Sequence, residues 1–546
     1  MVSLIKRTDL RYLFVHWGKF LFCLLLFSGL TTLDSEKSVY AQNKKFEEAQ
    51  PLTTKVNRQA TIEVEKIEFE GNTVFSDEEL KKIVNLSLTK NEKISLSKLV
   101  QIRTKISDYY VKKGYLNSGA FLPSQEISDK KVSIRIVEGS LARIDIKGLS
   151  HLNRSYIVSR LPKLEKPIKT SDLTNALAKL RENPLIGNLQ ASIEPISPGR
   201  YLLTVKVESN SPLSSQFILS NNYSPSVGTF GGSVKANYHL FGFGDSLGLG
   251  YTKTEGLTRY DGSYLFPVNK YNGTIALKYT NADTEIVEDP VSALDIQADF
   301  ETFSLAARQP INFDRQSELV LAIEFELIES ETFVNRDFSF AFVDGLRDGK
   351  SNISVLRLTQ EYFDREQTSS LALRSQFNVG MDLFDPTVTE VGIDGLFWSW
   401  QGQGQWLKKI DDLLLVSTLN MQFTGDKLLP IEQLTLGGAN SVKGYRQNLS
   451  IGDNGIIGSI ELQMPLIQSS SWKLNLIPFV NGGTLWNNSS EDINSNTLAS
   501  IGLGLNFALG NTIDARIDYG VPLIKADAPE DYDTEERINF RFSLQP

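Results

Sequence analysis

Two cations and a tyrosine lie close together in one glycine-containing stretch, GGANSVKGYRQ at residues 437–447. Lys443 and Arg446 could each form a charge-assisted hydrogen bond with a carboxylate, and the Tyr445 hydroxyl could donate another hydrogen bond. The stretch has no apolar period, so it is predicted to be a loop, while the segments on both sides, LLLVSTLNMQF and GIIGSIELQM, are typical of strands. The chemistry that these residues can carry out is ion pairing, and the partners of the two cations depend on the elements that surround the loop.

Residues that commonly carry catalysis or bind metals are scarce in this chain. Its single cysteine, Cys23, lies in the apolar N-terminal segment, and beyond that segment only His151 and His239 remain, far apart in the sequence. A histidine-rich metal site is therefore excluded. The sequence contains no G-x-S-x-G stretch and no P-loop. We predict no catalytic residue, no metal and no cofactor, and we expect that the protein is not an enzyme.

The overall charge argues against one class of partner. The 546 residues include 56 Lys and Arg against 65 Asp and Glu, which gives a formal net charge of −9. An acidic chain without a cluster of Lys and Arg lacks the basic surface that binds nucleic acid, so no nucleic-acid partner is expected. The length allows several domains.

The first 41 residues have the organisation of an export signal. Four cations precede the apolar run FLFCLLLFSGL at 20–30, and they are Lys6, Arg7, Arg11 and Lys19. Val39 and Ala41 occupy the −3 and −1 positions of a cleavage site. A membrane anchor is the alternative, but about 11 apolar residues are too few to span a bilayer. We predict a signal peptide at 1–41, followed by a polar linker at 42–60.

A strand–helix–helix–strand–strand pattern then occurs twice. The segments VEKIEFEGN (64–72) and LARIDIKGL (141–149) match position by position, and each is a short alternating strand that ends at a glycine. The patterns predict two small α+β domains, at 61–139 and 140–209, with helices packed on one face of each sheet. Such domains leave sheet edges open, where an extended peptide could add a strand.

The helices of these domains are predicted from caps and from apolar spacing. In the first copy, the run from Ser76 to Glu79 forms a capping box, and a second helix ends near Gly114. The buried face of that second helix is predicted to contain Leu99, Ile102, Ile106 and Tyr109. In the second copy, helices are predicted at 153–161 and from about Ser171.

From about residue 210, the apolar residues no longer recur at helical spacing; instead, apolar and polar residues alternate along the chain. In LALRSQFNVGMDL (371–383), the apolar side chains share one face, and polar residues such as Gln376 and Asn378 share the other. Long alternating strands with short turns fit a membrane β-barrel with lipid outside and a polar lumen inside. We count about sixteen such strands in 210–546. A soluble sandwich, which would have shorter strands, is the alternative.

The last predicted strand, INFRFSLQP, must pair with the first, near 213, so that no sheet edge is left unsatisfied in lipid. Its apolar face is formed by Ile538, Phe540, Phe542 and Leu544. The chain ends at Pro546 rather than at an aromatic residue, so we expect Phe540 and Phe542 to carry the signal for insertion.

Together, an export signal, two such domains, about sixteen strands and a V-K-G-Y loop after the eleventh strand resemble the two-partner secretion transporters. These are the ShlB/FhaC/HecB-type haemolysin secretion/activation proteins (type Vb, TpsB). The resemblance implies two periplasmic POTRA domains and a sixth extracellular loop that folds into the barrel with a V-R-G-Y tip. It also implies that the tip arginine pairs with the aspartate of an F-x-D-x-G motif on an inner barrel strand.

On this chain, the inward-folded loop corresponds to residues near 427–454 and the strand motif to FVNGG. The loop-tip residues are Val442, Lys443, Gly444, Tyr445 and Arg446, and the lumen residues of the strand motif are Phe479, Asn481 and Gly483. Both members of the family's ion pair are replaced, so Lys443 and Asn481 are expected to make at most one weaker contact, with Arg446 adding others. An ordinary solvated loop is the alternative. The linker is short and has no apolar face, which argues against a plug helix.

The resemblance implies an outer-membrane translocator that binds an unfolded secreted partner through its periplasmic domains, residues 42–209, and exports it through the barrel. The implied partners are a large TpsA-like exoprotein, β-helical in form, outer-membrane lipid, and the barrel-assembly machinery during insertion, with the transporter itself a monomer. Two alternatives stay open: an outer-membrane protein assembly factor of the same superfamily, and a passive porin. A passive pore would have no need of residues 61–209.

Overall fold

The computed structural model describes residues 61–546, except 85–91, 116, 128–129, 313–315, 336–337, 343–345, 347–348, 390, 489–495 and 527–533. The predicted signal peptide and linker, and with them the question of a plug, lie outside the described residues. Two compact units are present: one runs from residue 61 to Ser211 and includes Phe241–Gly244, and the other contains Pro212–Leu240 and Asp245–Pro546. No helix within the described ranges is long and apolar enough to cross a membrane.

The first small domain is a three-stranded sheet covered by two helices. Its elements are β1 (Thr61–Val64), β2 (Lys66–Glu70), α1 (Asp77–Ile83), β3 (Glu92–Ser95), α2 (Leu96–Lys112), β4 (Gly119–Phe121) and β5 (Lys131–Val137). The sheet order is β2-β5-β4, with β2 parallel and β4 antiparallel to β5. An additional antiparallel pair, β1 with β3, was not expected from the sequence.

Caps and apolar spacing explain where these helices lie. The Ser76 side chain accepts a hydrogen bond from the Glu79 backbone N–H at 3.3 Å, as the capping box predicts. In α2, Leu99, Ile102 and Ile106 are buried, but the fourth buried residue is Tyr110 and not Tyr109. The prediction for Tyr109 was wrong because the helix continues the buried stripe at i+4 from Ile106. Tyr109 instead donates a hydrogen bond to Glu79 at 2.7 Å.

The second small domain repeats this arrangement with fewer residues. Its elements are β6 (Ser140–Lys147), α3 (Arg154–Val158), α4 (Thr170–Arg181), β7 (Ile186–Ser197) and β8 (Arg200–Ser209). The sheet order is β6-β8-β7, with β6 parallel and β7 antiparallel to β8. Helix α3 is shorter than the predicted 153–161. The long strand β7 forms one edge of this sheet, and most of its side chains are exposed.

The second unit is built almost entirely of strands. In chain order they are β9 (Leu213–Ser220), β10 (Gly231–Tyr238), β11 (Ser246–Thr254), β12 (Leu257–Pro267), β13 (Thr274–Glu285), β14 (Ile296–Asn312), β15 (Ser317–Val334), β16 (Phe338–Ser339), β17 (Lys350–Arg365), β18 (Ser369–Gly380), β19 (Trp398–Ile410), β20 (Leu413–Phe423), β21 (Leu434–Leu436), β22 (Gly444–Tyr445), β23 (Ser450–Gly452), β24 (Asn454–Gln468), β25 (Trp472–Trp486), β26 (Asn496–Leu509), β27 (Ile513–Pro522), β28 (Glu535–Glu536) and β29 (Ile538–Leu544). Two 3₁₀ helices, Pro225–Val227 and Val291–Leu294, lie in the connections.

Sixteen of these strands form a closed antiparallel barrel. The other five, β16, β21, β22, β23 and β28, have only two or three residues each and are not counted as barrel strands. The predicted barrel of about sixteen strands is therefore confirmed. The last strand closes the ring against the first, with Leu544 facing Phe217 and Arg541 facing Ser220. Closure pairs the backbone groups of both end strands, which the hydrocarbon of a membrane requires.

The two faces of the barrel wall differ in polarity as the alternation predicts. On β18, Leu373 is 45 % exposed on the outer face, whereas the amide of Asn378 is 1 % exposed on the inner face. Exposed apolar side chains outside and buried polar side chains inside are the reverse of a water-soluble protein. The soluble sandwich is thereby ruled out.

Candidate functional site: a loop against the inner barrel wall

A long loop of 30 residues joins β20 to β24 and is folded against the inner wall of the barrel. In this loop, residues 424–453, strands β21 and β23 pair as a short antiparallel ribbon. Its side chains share one buried apolar cluster with inward-facing residues of β24, β25 and β26. The buried members of that cluster are Leu436, Val442, Tyr445, Ile457, Leu485 and Leu498. The loop is therefore a packed element of the structure and not a solvated excursion.

The tip of the long loop is held by a buried charge cluster. The Lys443 ammonium, whose residue is 7 % exposed, forms an ion pair with Glu461, an inward-facing residue of β24. Arg516 of β27 binds the same carboxylate with two N–H groups, at 3.0 and 2.9 Å. Its Nε also donates to Asp518 at 2.9 Å. Glu461 therefore has two cationic partners, one from the loop and one from the wall.

The expected contact between Lys443 and Asn481 is wrong. Asn481 lies in β25, where its Nδ2 is 3.4 Å from the Ser500 hydroxyl and its Oδ1 is buried without a hydrogen-bond partner. A neutral amide cannot compensate a buried ammonium group as a carboxylate can. The carboxylate is instead on the neighbouring strand, where Glu461 lies opposite Phe479.

Glu461 could have been identified from the sequence. In GIIGSIELQM, the apolar residues Ile456, Ile460 and Leu462 share the outer face, so the alternation places Glu461 in the lumen. The same reasoning places Arg516 and Asp518 inside in β27. What the sequence did not indicate is which of these inward charges the loop tip would meet.

The other residues of the strand motif shape the surface under the tip. The Lys443 ammonium lies 4.4 Å from the centroid of the Phe479 ring, close enough for a cation–π contact. At Gly483, an added Cβ would come within 2.6 Å of Leu436 Cδ1. A glycine at this position is needed for the loop to pack closely against β25.

Glycine also allows the tip backbone to touch the wall. Gly444 has a φ of +95°, a conformation that L side chains rarely adopt. A Cβ built on Gly520 of β27 would lie 2.6 Å from the Gly444 nitrogen. Gly444 also pairs with Glu536 of β28 in a short two-stranded ribbon.

Tyr445 and Arg446 add further polar contacts to the tip. The Tyr445 hydroxyl lies 2.8 Å from the Ala499 carbonyl oxygen and accepts a hydrogen bond from the Ile524 N–H at 3.2 Å. Arg446 pairs with Glu288 in the connection between β13 and β14. Arg446 thus supplies additional contacts, as expected from the sequence.

The base of the long loop has a second ion-pair cluster, which the sequence did not reveal. Arg357 of β17 binds Glu432 of the loop with two N–H groups, at 3.0 and 2.7 Å. It also donates to Glu326 of β15 at 2.8 Å. The two partners Arg357 and Glu432 are 75 residues apart in the chain.

Asp453 organises the end of the long loop. Its carboxylate accepts hydrogen bonds from the Leu428 N–H at 3.0 Å, the Gln433 amide at 2.9 Å and the Asn488 N–H at 2.9 Å. Within the residues described, no group of three or more His, Cys, Asp or Glu side chains is arranged to hold a metal ion. In the part of the chain that the structure describes, the long loop is attached to the wall by ion pairs, hydrogen bonds and apolar packing.

Comparison with known proteins places this arrangement in a family. Residues 199–507 match the family described as haemolysin secretion/activation protein ShlB/FhaC/HecB, and residues 62–139 match the ShlB-type POTRA domain. The outer membrane transporter CdiB of Escherichia coli is 23 % identical over 488 residues, which cover 83 % of this chain and 78 % of that protein.

Solved structures show the same fold. The structure of CdiB from Escherichia coli superposes with a TM-score of 0.70 at 18 % identity, and the match covers 91 % of this chain and 93 % of that one. The structure of CdiB from Acinetobacter baumannii gives a TM-score of 0.64 at 17 % identity, with 97 % of each chain covered. The chain belongs to the ShlB/FhaC/HecB family of two-partner secretion transporters, which are β-barrel proteins of the outer membrane with periplasmic POTRA domains.

Proposed function

We propose that this transporter binds an unfolded secreted partner protein on its two POTRA-like domains and exports it through the barrel after the long loop moves aside. The observation that supports this most directly is the attachment of the loop. Its tip and its base are both held by ion pairs, and in each case the wall residue has a second partner on the wall. The loop can therefore leave without exposing an unpaired buried charge.

The docking surface in this proposal is the free edge of β7. This strand has 12 residues, whereas the edge strand β4 of the first domain has only three. A free edge offers unpaired N–H and C=O groups to an extended peptide, and exposed apolar side chains add affinity. Ile193 and Ile196 are the exposed large apolar residues of β7.

Export in this proposal needs no nucleotide at the transporter. The sequence contains no P-loop. The expected source of free energy for export is the folding of the partner after it has crossed the membrane, which prevents its return. The partner is a large exoprotein whose extended chain fits a pore once the loop is displaced.

The proposal is tested by co-expressing the transporter with a large exported protein encoded beside its gene and measuring release into the medium. Deletion of residues 61–209 should abolish release while the barrel still conducts ions in planar bilayers. Continued release would contradict docking on these domains. Loss of other outer-membrane proteins in the deletion strain would instead favour an assembly factor.

A full-length variant isolates the proposed edge. Ile193→Asp together with Ile196→Asp should reduce release, because charges at the exposed apolar positions of β7 oppose docking of an apolar strand. Leu164→Asp is the matched control, since Leu164 is similarly exposed in the same domain but lies outside β7. Equal release from both variants would exclude the β7 edge.

A further inference from the structure

One sector of the inner barrel wall is lined by side-chain amides, whereas the wall formed by β15 and β17 carries charges. On β19, the inward positions Ser399, Gln401, Gln403 and Gln405 carry no charge, and neither do the inward positions 414–422 of β20. The wall formed by β15 and β17, by contrast, presents Glu324, Glu326 and Arg357. We call one set of inward amides the amide track, and it consists of Gln376, Asn378, Gln401, Gln403, Gln405 and Gln422.

The upper part of the amide track is joined by hydrogen bonds and reaches the long loop. The Gln376 amide donates to Asn378 at 2.7 Å, and the Gln401 amide donates to Gln422 at 2.8 Å. Gln422 lies at the end of the track nearest the loop. Gln405 lies toward the opposite end of the barrel, since the turn that joins β19 to β20 follows at Asp411.

The track already binds polypeptide backbone at one end. The Gln422 side-chain amide donates to two backbone carbonyl oxygens of the long loop, those of Glu432 and Asp453, each at 3.0 Å. A primary amide donates and accepts hydrogen bonds, so it suits both backbone groups of a peptide. When the loop moves aside, the carbonyl oxygens of another extended chain can replace those of Glu432.

The opposite end of the track carries two buried polar atoms that make no hydrogen bond, although Arg374 Nε lies 4.0 Å from Glu361 Oε1. Gln405 Oε1 is a buried acceptor, and Arg374 Nε is a buried donor on the neighbouring strand; neither has a hydrogen-bond partner. Gln403 is the cross-strand partner of Arg374. An acceptor on β19 and a donor on β18 are the kinds of group that can bind the N–H and C=O groups of an extended backbone.

The spacing of the track also fits an extended chain. Gln401, Gln403 and Gln405 occupy alternate positions of one strand, so they repeat about every 6.7 Å. An extended polypeptide repeats its own backbone groups over the same two-residue distance. Because the amides are uncharged, they impose no preference on the side-chain charges of the passing chain.

We propose that the amide track binds the backbone of the exported polypeptide in an extended conformation as it crosses the barrel. The inference rests on the proposed function, because it assumes that a polypeptide enters this lumen. It adds the surface that the chain follows and the chemistry by which it is bound: hydrogen bonds to main-chain groups, independent of sequence.

The test uses a synthetic, uncharged Asn-Thr-Ser peptide of about 24 residues, which when extended is longer than the ~40–45 Å thickness of a bilayer. In planar bilayers, a barrel from which loop residues 427–452 are excised reports each peptide as a current blockade. Changing Gln401, Gln403 and Gln405 together to alanine should shorten the blockades at least about tenfold, the scale expected for losing several hydrogen bonds.

The matched control is Asn237→Ala. Asn237 is an inward-facing amide of β10, eight strands around the ring from β19, and it also lies toward the end of the barrel opposite the loop. This change should leave the blockade time unaltered. Equal shortening by the two variants, or none by either, would overturn the amide track.

A second measurement uses the full-length protein in liposomes with the same peptide. A benzoylphenylalanine photocrosslinker at position 403 should capture the peptide, and the same group at position 237 should not. Capture at both positions in equal yield would overturn the amide track while leaving polypeptide passage intact. Neither blockades nor capture at any position would instead overturn the proposed function itself.

Discussion

The tip and the base of the long loop are each held by a buried cluster of charged residues, but the loop supplies the cation at the tip and the carboxylate at the base. At the tip, the loop supplies the cation, Lys443, and the wall supplies the carboxylate of Glu461, which Arg516 also binds. At the base, the loop supplies the carboxylate of Glu432, and the wall supplies Arg357, which Glu326 also binds. In both places, the wall charge keeps a partner when the loop departs.

The two clusters differ in geometry, and the difference predicts the order of release. The base has a planar guanidinium with two hydrogen bonds to one carboxylate, whereas the tip has a lysine with a single point of contact. Paired N–H donors fix both distance and orientation, while an ammonium group does not. We expect the tip to separate first and the base to act as the pivot.

The largest effect is expected from Arg357→Met. This change leaves Glu326 and Glu432 buried side by side without a cation, and removing one partner of a buried pair costs about 3–5 kcal/mol. The temperature at which the barrel loses its heat-modifiable mobility on gels should fall, and the channel should stay open.

The control for this change is Arg308→Met on the same inner wall. Arg308 forms an ion pair with Glu361 at 2.9 Å. The Arg308 side chain is partly exposed, and Glu361 belongs to the barrel wall rather than to the loop. Its loss should cost no more than about 1 kcal/mol. An equal loss of stability in the two variants would contradict a special role for the base cluster.

Glu461→Gln should have the next largest effect, and it acts at the tip. The change preserves shape but leaves Lys443 beside Arg516 with no carboxylate between them. Losing about 3 kcal/mol of attachment would raise the ratio of open to closed channel roughly a hundredfold. Single-channel recording measures that ratio directly.

Glu324→Gln is the matched control for the tip. Glu324 is also a buried inward carboxylate, and it pairs with Lys278 of the wall at 3.2 Å rather than with the loop. The channel should remain mostly closed in this variant. Similar opening in both variants would indicate general loosening of the barrel instead of release of the tip.

Lys443→Met should have a smaller effect than Glu461→Gln, because Glu461 keeps its two hydrogen bonds to Arg516. Loss of one hydrogen bond to a charged group corresponds to roughly a tenfold rise in the open fraction. Barrel stability should not change, and Lys443→Arg should stay closed. A hundredfold rise with Lys443→Met would mean that Arg516 does not compensate Glu461.

Asn481→Asp should have the smallest effect on its own, within about threefold, since Lys443 is already paired with Glu461. In the background of Glu461→Gln, however, the same change supplies a new carboxylate on the neighbouring strand. The double variant should close more often than Glu461→Gln alone. If the double variant closes no more often than Glu461→Gln alone, a carboxylate at position 481 does not reach the loop tip.

Much of the fold could be predicted because it depends on local alternation. The period of two that places Leu373 outside and Asn378 inside follows from strand geometry alone, and sixteen such segments predict a closed barrel. The β1–β3 pair was missed because neither short strand has a distinctive pattern. Tyr110 was missed because positions i+3 and i+4 both satisfy a helical stripe.

The site was predicted less well, because it depends on contacts between distant segments. Alternation shows that Glu461 faces the lumen, but not that Lys443 reaches it instead of Asn481. The pairing of Arg357 with Glu432 leaves no trace in local patterns. The resemblance indicated where the loop lies, yet it assigned the partner of Lys443 to a strand one place too far along the barrel.

In the proposed export cycle, the close approach of Gly444 to Gly520 determines how the loop can return to the wall. Main chain meets main chain at this point, so the seating depth of the tip does not depend on any rotamer. A β-carbon on either residue would act as a spacer and stop the tip short of its resting place, even with every ion pair intact. If the loop moves as proposed, its return to the resting position requires glycine at both 444 and 520.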